Sequence, residues 1–229
     1  MNKKIIDCIK LIIGYDERES VAFHTCVESI LNKSTQPISY MPLNLGNLNG
    51  YIERHRDGSN SFIYSRFLTP LLMGYEGWAI YIDGDMIINS DISNLWKLRN
   101  NKYALMVVKH DYKTKVKNKY LGNINQDYPR KNWSSVILWN CGHPKNKALT
   151  AEVIENSTGS YLHRFSWLED HEIGELDIGW NWLVGEYEEN LKANLLHYTL
   201  GTPCFKEYNT GPSANLWYLE WKKSQKGFD

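Results

Sequence analysis

Asp83-Gly84-Asp85 is the stretch of this sequence best suited to chemistry. It ends the apolar run Trp78-Ala79-Ile80-Tyr81-Ile82 and precedes a second run, Met86-Ile87-Ile88. Two carboxylates two residues apart at the end of a buried strand are costly unless a cation compensates them, because an unpaired buried charge is strongly disfavoured. Hard divalent ions favour such oxygen donors. The same tripeptide also makes good turn chemistry between two strands. Its surroundings weigh against a hairpin. Asn89-Ser90-Asp91 reads as a helix start, with Ile92, Leu95 and Trp96 at helical spacing behind it.

The elements that must position these carboxylates follow from hydrophobic periodicity. Residues 9–15 read as a buried strand ending at Gly14-Tyr15-Asp16. Residues 17–31 read as an amphipathic helix with Phe23, Cys26, Val27, Ile30 and Leu31 on one face. Asp16 and Glu19 are spaced as a capping box for that helix. Residues 38–43 read as a short strand weakened at Pro42, and 44–60 as a polar loop. Residues 62–73 are expected to be a helix carrying Arg66, despite Pro70. Further strands are expected at 103–108, at 135–139 running into Asn140, and at 195–198, which holds His197. Short helices are expected at 148–155 and 214–223. The basic-rich segment 109–130 looks least ordered.

Strands alternate with helices over the first half. That argues an α/β fold: one Rossmann-like domain over 1–229, with a mostly parallel mixed central sheet flanked by helices. In such sheets ligands bind beyond the carboxyl ends of strands. Asp16, Asp83, Asp85, Asn140 and His197 all fall at or near predicted strand ends.

Composition narrows the partners. Formal net charge is zero and 42% of the 229 residues are hydrophobic, so a core is expected and no basic surplus invites nucleic acid or an anionic membrane. A phosphate-bearing ligand therefore needs a local positive site. Cys8, Cys26, Cys141 and Cys204 form no C-x-x-C pair and read as reduced core residues, which favours a cytoplasmic setting, at most peripheral to a membrane. The start Met1-Asn2-Lys3-Lys4-Ile5-Ile6 imitates a signal peptide weakly, but Asp7 and Lys10 interrupt it. No apolar stretch approaches the roughly 18 residues of a transmembrane helix. Nine Trp, fifteen Tyr and six Phe suit stacking on sugar rings.

Several blocks together resemble family-8 glycosyltransferases. They are Ser65-Arg66-Phe67-Leu68-Thr69-Pro70-Leu71-Leu72, then Tyr81-Ile82-Asp83-Gly84-Asp85-Met86-Ile87-Ile88, then Asp91-Ile92-Ser93-Asn94-Leu95-Trp96. Upstream, Ile13-Gly14-Tyr15-Asp16 is similar to the family's first strand and its nucleotide-contacting Asp. Downstream, Ser135-Val136-Ile137-Leu138-Trp139-Asn140 resembles a later strand. Glu169-Asp170-His171-Glu172 with Trp180-Asn181 resembles the D-Q-D…W-N segment, and Leu196-His197-Tyr198 with Gly201 the last metal ligand. The resemblance spans roughly 10 to 205, in the family's order.

It implies a GT-A fold enzyme that transfers sugar from a nucleotide sugar, a UDP-sugar, to a glycan, lipopolysaccharide or glycoprotein acceptor, with retention of anomeric configuration. Asp85 and His197 resemble direct ligands of a divalent metal, and Asp83 resembles the residue bridging ribose and metal. Mn²⁺ suits two carboxylates and an imidazole, and Mg²⁺ is the alternative. Asp16 would accept hydrogen bonds from base or ribose, or simply cap its helix. Arg66 would meet donor phosphate or sugar, or form a surface salt bridge. Gly201 belongs to the nucleotide-binding turn. Asn140 would bond the donor sugar, or end a strand in a turn. Asp170 and Glu172 would hold sugar hydroxyls or stabilise an oxocarbenium-like centre, or form a solvated acidic turn. By itself His197 reads as a core histidine.

The sequence departs from the family at three points. His171 replaces its Gln, Gly201 lies four residues past His197 rather than three, and Thr202-Pro203-Cys204 stands where the family has Lys-Pro-Trp. A diphosphate-binding lysine is thus missing from its place, and Lys206, Arg66 or Lys109 is left to substitute. Two other readings stand beside this one. A haloacid-dehalogenase-type phosphatase would use Asp83 as nucleophile, but Met86 follows Asp85 where that class has Thr or Val. A nucleotide-sugar-binding module without turnover is the other.

Overall fold

The computed structural model describes residues 7–226. β1 (Ile9–Tyr15) leads through a 3-10 turn at Glu17–Glu19 into α1 (Ser20–Leu31). There follow β2 (Ile38–Asn44), α2 (Thr69–Leu72), β3 (Trp78–Ile82), β4 (Met86–Ile88), α3 (Ile92–Trp96), β5 (Leu105–Val107) and β6 (Val136–Asn140). The second half adds α4 (Ala151–Asn156), α5 (Gly159–His163), β7 (Ile173–Glu175), β8 (Trp182–Leu183), β9 (Leu195–His197) and α6 (Ala214–Ser224).

The main sheet has the order β2-β1-β3-β6-β5-β7, and a smaller one the order β4-β9-β8. In the main sheet only β6 runs against its neighbours; it pairs antiparallel with β3 and with β5. This is the expected mixed, mostly parallel α/β sheet flanked by helices. Both of its faces are covered. Leu11, Ile13, Ile80 and Ile82 pack against Phe23, Cys26 and Ile30 on the α1 side. Ile12, Tyr81, Ile137 and Trp139 pack with Phe67 and Phe165 on the other. Strands buried on both faces are apolar throughout, which is why β3 and β6 read as unbroken hydrophobic runs. α6 lies on α1 and the small sheet, with Trp217 packed among Ile87, Leu196 and Tyr198.

The Asp-Gly-Asp segment is not a hairpin turn. β3 belongs to the large sheet and β4 to the small one, so the tripeptide carries the chain between them. Gly84 is required there, since a Cβ would stand 2.3 Å from the Gly14 carbonyl oxygen.

Some expectations need correction. The helix expected over 62–73 is a 3-10 turn at Ser65–Leu68 and then α2, because Pro70 offers no N–H to continue an α-helical ladder. No capping box forms at α1. The Asp16 carboxylate accepts from the Arg18 N–H at 3.0 Å, and Glu19 turns inward. Pro42 is accommodated because β2 is an edge strand. Segment 109–130 lacks long regular structure but is anchored, with His110, Tyr120 and Asn125 buried. Cys26 and Cys141 are buried as expected, whereas Cys204 is exposed; the four cysteines are unpaired. Among the described residues no helix is long and apolar enough to cross a membrane.

Candidate active site

Asp83 leaves the end of β3 beside the start of β6, where its N–H donates to the Ser135 carbonyl at 3.1 Å. Its Oδ1 accepts from the Tyr81 hydroxyl at 2.7 Å and lies 3.0 Å from an Arg66 guanidinium nitrogen. Arg66 is not a surface residue. It is buried, lies over the Phe62 and Tyr81 rings, and donates to the Phe62 and Ser134 carbonyls at 3.3 and 2.9 Å. Burial raises the Asp83 carboxyl above the ordinary range, with Arg66 opposing and Asp85 adding to the rise.

Asp85 enters β4, and its carbonyl accepts from the Tyr198 N–H at 3.1 Å just beyond β9. Register places His197 directly opposite Met86. The orientation of His197 is fixed from behind. Asn181 Nδ2 donates to the Asn132 carbonyl at 3.0 Å, so its Oδ1 faces His197 Nδ1 at 2.9 Å. Nδ1 therefore carries a proton, and in the neutral ring Nε2 presents a lone pair. That lone pair faces Asp85 Oδ1 at 3.4 Å, and Oδ1 is buried without a hydrogen-bond partner. Two acceptors facing one another need a proton or a cation between them. Burial pushes Asp85 up, but His197 and Lys119 more than offset it and hold it below the usual carboxylate range.

Asp83, Asp85 and His197 each offer a ligand atom, all within 4.8 Å of one another. That span approaches the reach of two bonds of about 2.0–2.6 Å to a common ion. Oxygen donors, one imidazole and an orphaned buried carboxylate oxygen fit a divalent metal such as Mn²⁺ or Mg²⁺.

These groups line a small cavity of about 70 Å³ together with Lys119 and Thr199. Nothing in the sequence singles out Lys119. It sits in the segment that looked least ordered, and its Nζ donates to Thr199 Oγ1 at 2.8 Å. Burial lowers its pKa while Asp85 opposes. Lys119, rather than Lys206 or Lys109, is the lysine beside the carboxylates; Lys206 is exposed and Lys109 lies near the Trp133 ring. In the sequence Glu19 reads only as a cap. Its Oε1 accepts from the Tyr120 hydroxyl at 3.1 Å and its Oε2 is buried without a partner. Burial, then the Asp85 charge, raises it to about 8. Asn181 stood within the Trp180-Asn181 block, and only the register of β9 reveals what it does.

The remaining predicted residues divide by strand direction. The Asp16 oxygens are taken by Arg18 Nε at 2.9 Å and by the Ser61 N–H at 2.9 Å, so Asp16 braces the rim. Gly201, at φ +152°, leaves room for the Tyr208 ring, 2.5 Å from a hypothetical Cβ. Asn140 is not at the site. β6 is antiparallel, so Val136 lies beside Ile82 while Asn140 pairs with Trp78 at the far end of the sheet. Glu172 is at that far end too, its carbonyl accepting from Ala104 just before β5. Asp170 is exposed and pairs with Arg130. None of these three lines the cavity.

The sequence profile of glycosyl transferase family 8 matches residues 20–202, most of the chain. The chain belongs to glycosyl transferase family 8. Protein CDI of Arabidopsis thaliana is 41% identical over 226 residues, covering 95% of this chain and 87% of that protein. Among solved structures, the glycosyltransferase GlyE of Streptococcus pneumoniae superposes with TM-score 0.62 at 15% identity, covering 96% of this chain and 63% of GlyE. WbbM, a bifunctional glycosyltransferase, gives 0.61 at 13% identity, with 100% and 53% covered. The galactosyltransferase LgtC, solved with donor and acceptor sugar analogs, gives 0.55 at 10% identity, with 93% and 95% covered. The family 8 chain thus spans between half and two thirds of GlyE and WbbM. These likenesses establish a shared GT-A fold. Family 8 members are glycosyltransferases, and membership displaces the phosphatase alternative.

Proposed function

We propose that this family 8 enzyme transfers a sugar from a UDP-sugar to a saccharide or glycoconjugate acceptor with the help of a divalent ion. The observation that carries the reading is His197 Nε2 facing the unpartnered Asp85 Oδ1 at 3.4 Å, with the Nδ1 proton held by Asn181. Asp85 and His197 would hold the ion, with Asp83 beside them. When bound, the ion supplies the charge neutralisation that lets a nucleoside diphosphate leave.

The chain's own residues do the rest. Arg66 and Tyr81 fix the Asp83 carboxylate. Lys119, held ready by Thr199, meets the diphosphate in place of the absent family lysine. The resemblance supports retention at the anomeric carbon, which proton NMR of the first-formed product tests. No catalytic role is proposed for Asn140, Asp170 or Glu172.

The donor base is tested by melting curves with UDP, GDP, ADP and CDP, each with Mn²⁺. A ligand bound only to the native state at a hundredfold excess over its Kd stabilises by about 2.7 kcal/mol. UDP is expected to give the largest shift. A shift with GDP and none with UDP would overturn the base assignment.

A further inference from the structure

A second cavity of about 440 Å³ opens beside the first and shares Lys119, Tyr128 and His163 with it. Ligand pockets are typically about 300–1,000 Å³, so a sugar unit fits. The charge of this cavity is one-sided. Lys119, Lys131 and Arg164 line it against a single carboxylate, Asp57. Asp57 is already engaged, because the Tyr64 hydroxyl donates to it at 2.6 Å. Among the described residues, none of the three cations stands within ion-pair distance of a carboxylate.

Lys131 is the most telling of them. It is 7% exposed, and its Nζ donates only to the Gln126 carbonyl at 2.7 Å while lying over the Tyr128 ring. Burial and then the Lys119 charge lower it to about 8. Glu186, which lines neither cavity, offsets the two lysines only in part from a distance, while its oxygens accept from Asn125 Nδ2 at 2.6 Å and the Lys115 N–H at 2.8 Å. Lys119 already answers Asp85 in the inner cavity, so Lys131 is the buried cation left without a carboxylate in ion-pair reach, with the exposed Arg164 beside it on the wall. Such burial is unfavourable, and a bound anion relieves it. The half-exposed Tyr128 ring on the shared wall offers a stacking face for a sugar.

We infer that this outer cavity is the acceptor subsite and that it takes an anionic saccharide, one bearing a carboxylate or a phosphate. The inference rests on the donor reading above, because an acceptor must abut the donor sugar.

The test is calorimetric titration of the full chain with methyl β-glucuronide, glucose 6-phosphate and methyl β-glucoside, both unloaded and loaded with UDP and Mn²⁺. At least one acidic probe is expected to bind about tenfold or more tighter than the glucoside, a difference of about 1.4 kcal/mol. Which acidic probe wins distinguishes carboxylate from phosphate. Arg164→Gln and Lys131→Met should each erode that preference, and Lys131→Arg should retain it. Arg164 is exposed, so its variant reads out even where Lys131→Met fails to fold. Equal binding of the glucoside, or a preference unchanged in both variants, overturns the inference. So does inorganic phosphate binding as tightly as glucose 6-phosphate, or UDP displacing the acidic sugar, since the cations would then serve free anions or the nucleotide itself. If UDP and Mn²⁺ do not bind, the donor reading fails, while the acid-over-neutral preference of the unloaded chain still judges the cavity.

Discussion

Asp85 concentrates the residue-scale argument, because one of its oxygens is buried with nothing donating to it. Asp85→Ala removes an orphaned buried acceptor and its repulsion of Asp83 and Glu19, but also the counter-charge of Lys119, so the melting temperature of the metal-free protein should change little. Donor turnover should fall by at least about 100-fold, in line with the several kcal/mol a metal supplies. Normal turnover with mild destabilisation is what a plain turn residue would give. Asn181 acts one step back, through the His197 ring. Asn181→Ala should weaken Mn²⁺ binding by about 10–100-fold, as losses of ligand-orienting partners do. Unchanged Mn²⁺ affinity would show that Asn181 does not orient His197 for the ion.

Glu19 makes a pH statement. Its folded pKa is raised to about 8 from the usual 4.5, by burial and then by Asp85. Between those values the native chain holds a proton that the unfolded chain has lost, so this group's contribution favours folding at low pH and is lost as pH rises through about 8. Urea unfolding in chelator should show wild-type stability declining relative to Glu19→Gln from pH 5 to pH 8. Parallel curves over that window would show Glu19 ionised throughout.

At the scale of elements, the crossing between the two sheets depends on Gly84. Gly84→Ala puts a Cβ 2.3 Å from the Gly14 carbonyl oxygen, which only backbone movement relieves. Strain of that kind costs about 1–3 kcal/mol or more. Both stability and Mn²⁺ affinity should drop together, since the displaced backbone carries Asp83 and Asp85. An unaffected melting curve would show that β1 and the crossing after β3 do not press there.

The elements also show what was legible. β1, β3 and β6 were readable because they are buried on both faces and apolar throughout. The Asp83-Gly84-Asp85 and His197 cluster was readable because its types and order matched a family. Strand direction was not readable. Nothing in Val136–Asn140 announces an antiparallel strand, so the sequence points to Asn140, whereas Ser135 and Val136 are the residues beside Asp83. Lys119 lies in a stretch without periodicity, positioned by buried Tyr120 and by the bond to Thr199, both tertiary effects. β7 and β8 are too short to leave a pattern.

For the whole molecule the governing quantity is charge balance. The chain is neutral overall, so long-range steering contributes little and binding is decided locally. In the inner cavity Asp83 and Asp85 are balanced by Arg66 and Lys119. A divalent ion adds two positive charges, and the diphosphate of a nucleotide sugar adds two negative ones. Either alone leaves the site uncompensated, and together they largely cancel, free UDP adding a further negative charge on its terminal phosphate, so each should strengthen the other.

The most direct test of the metal-bridged donor site is therefore the coupling between UDP and Mn²⁺, measured by titrating UDP calorimetrically in saturating Mn²⁺ and again in excess chelator. The structure predicts a Kd about 100-fold lower with the metal, near the top of ordinary coupling strengths. Equal UDP affinity in the two titrations would contradict the account.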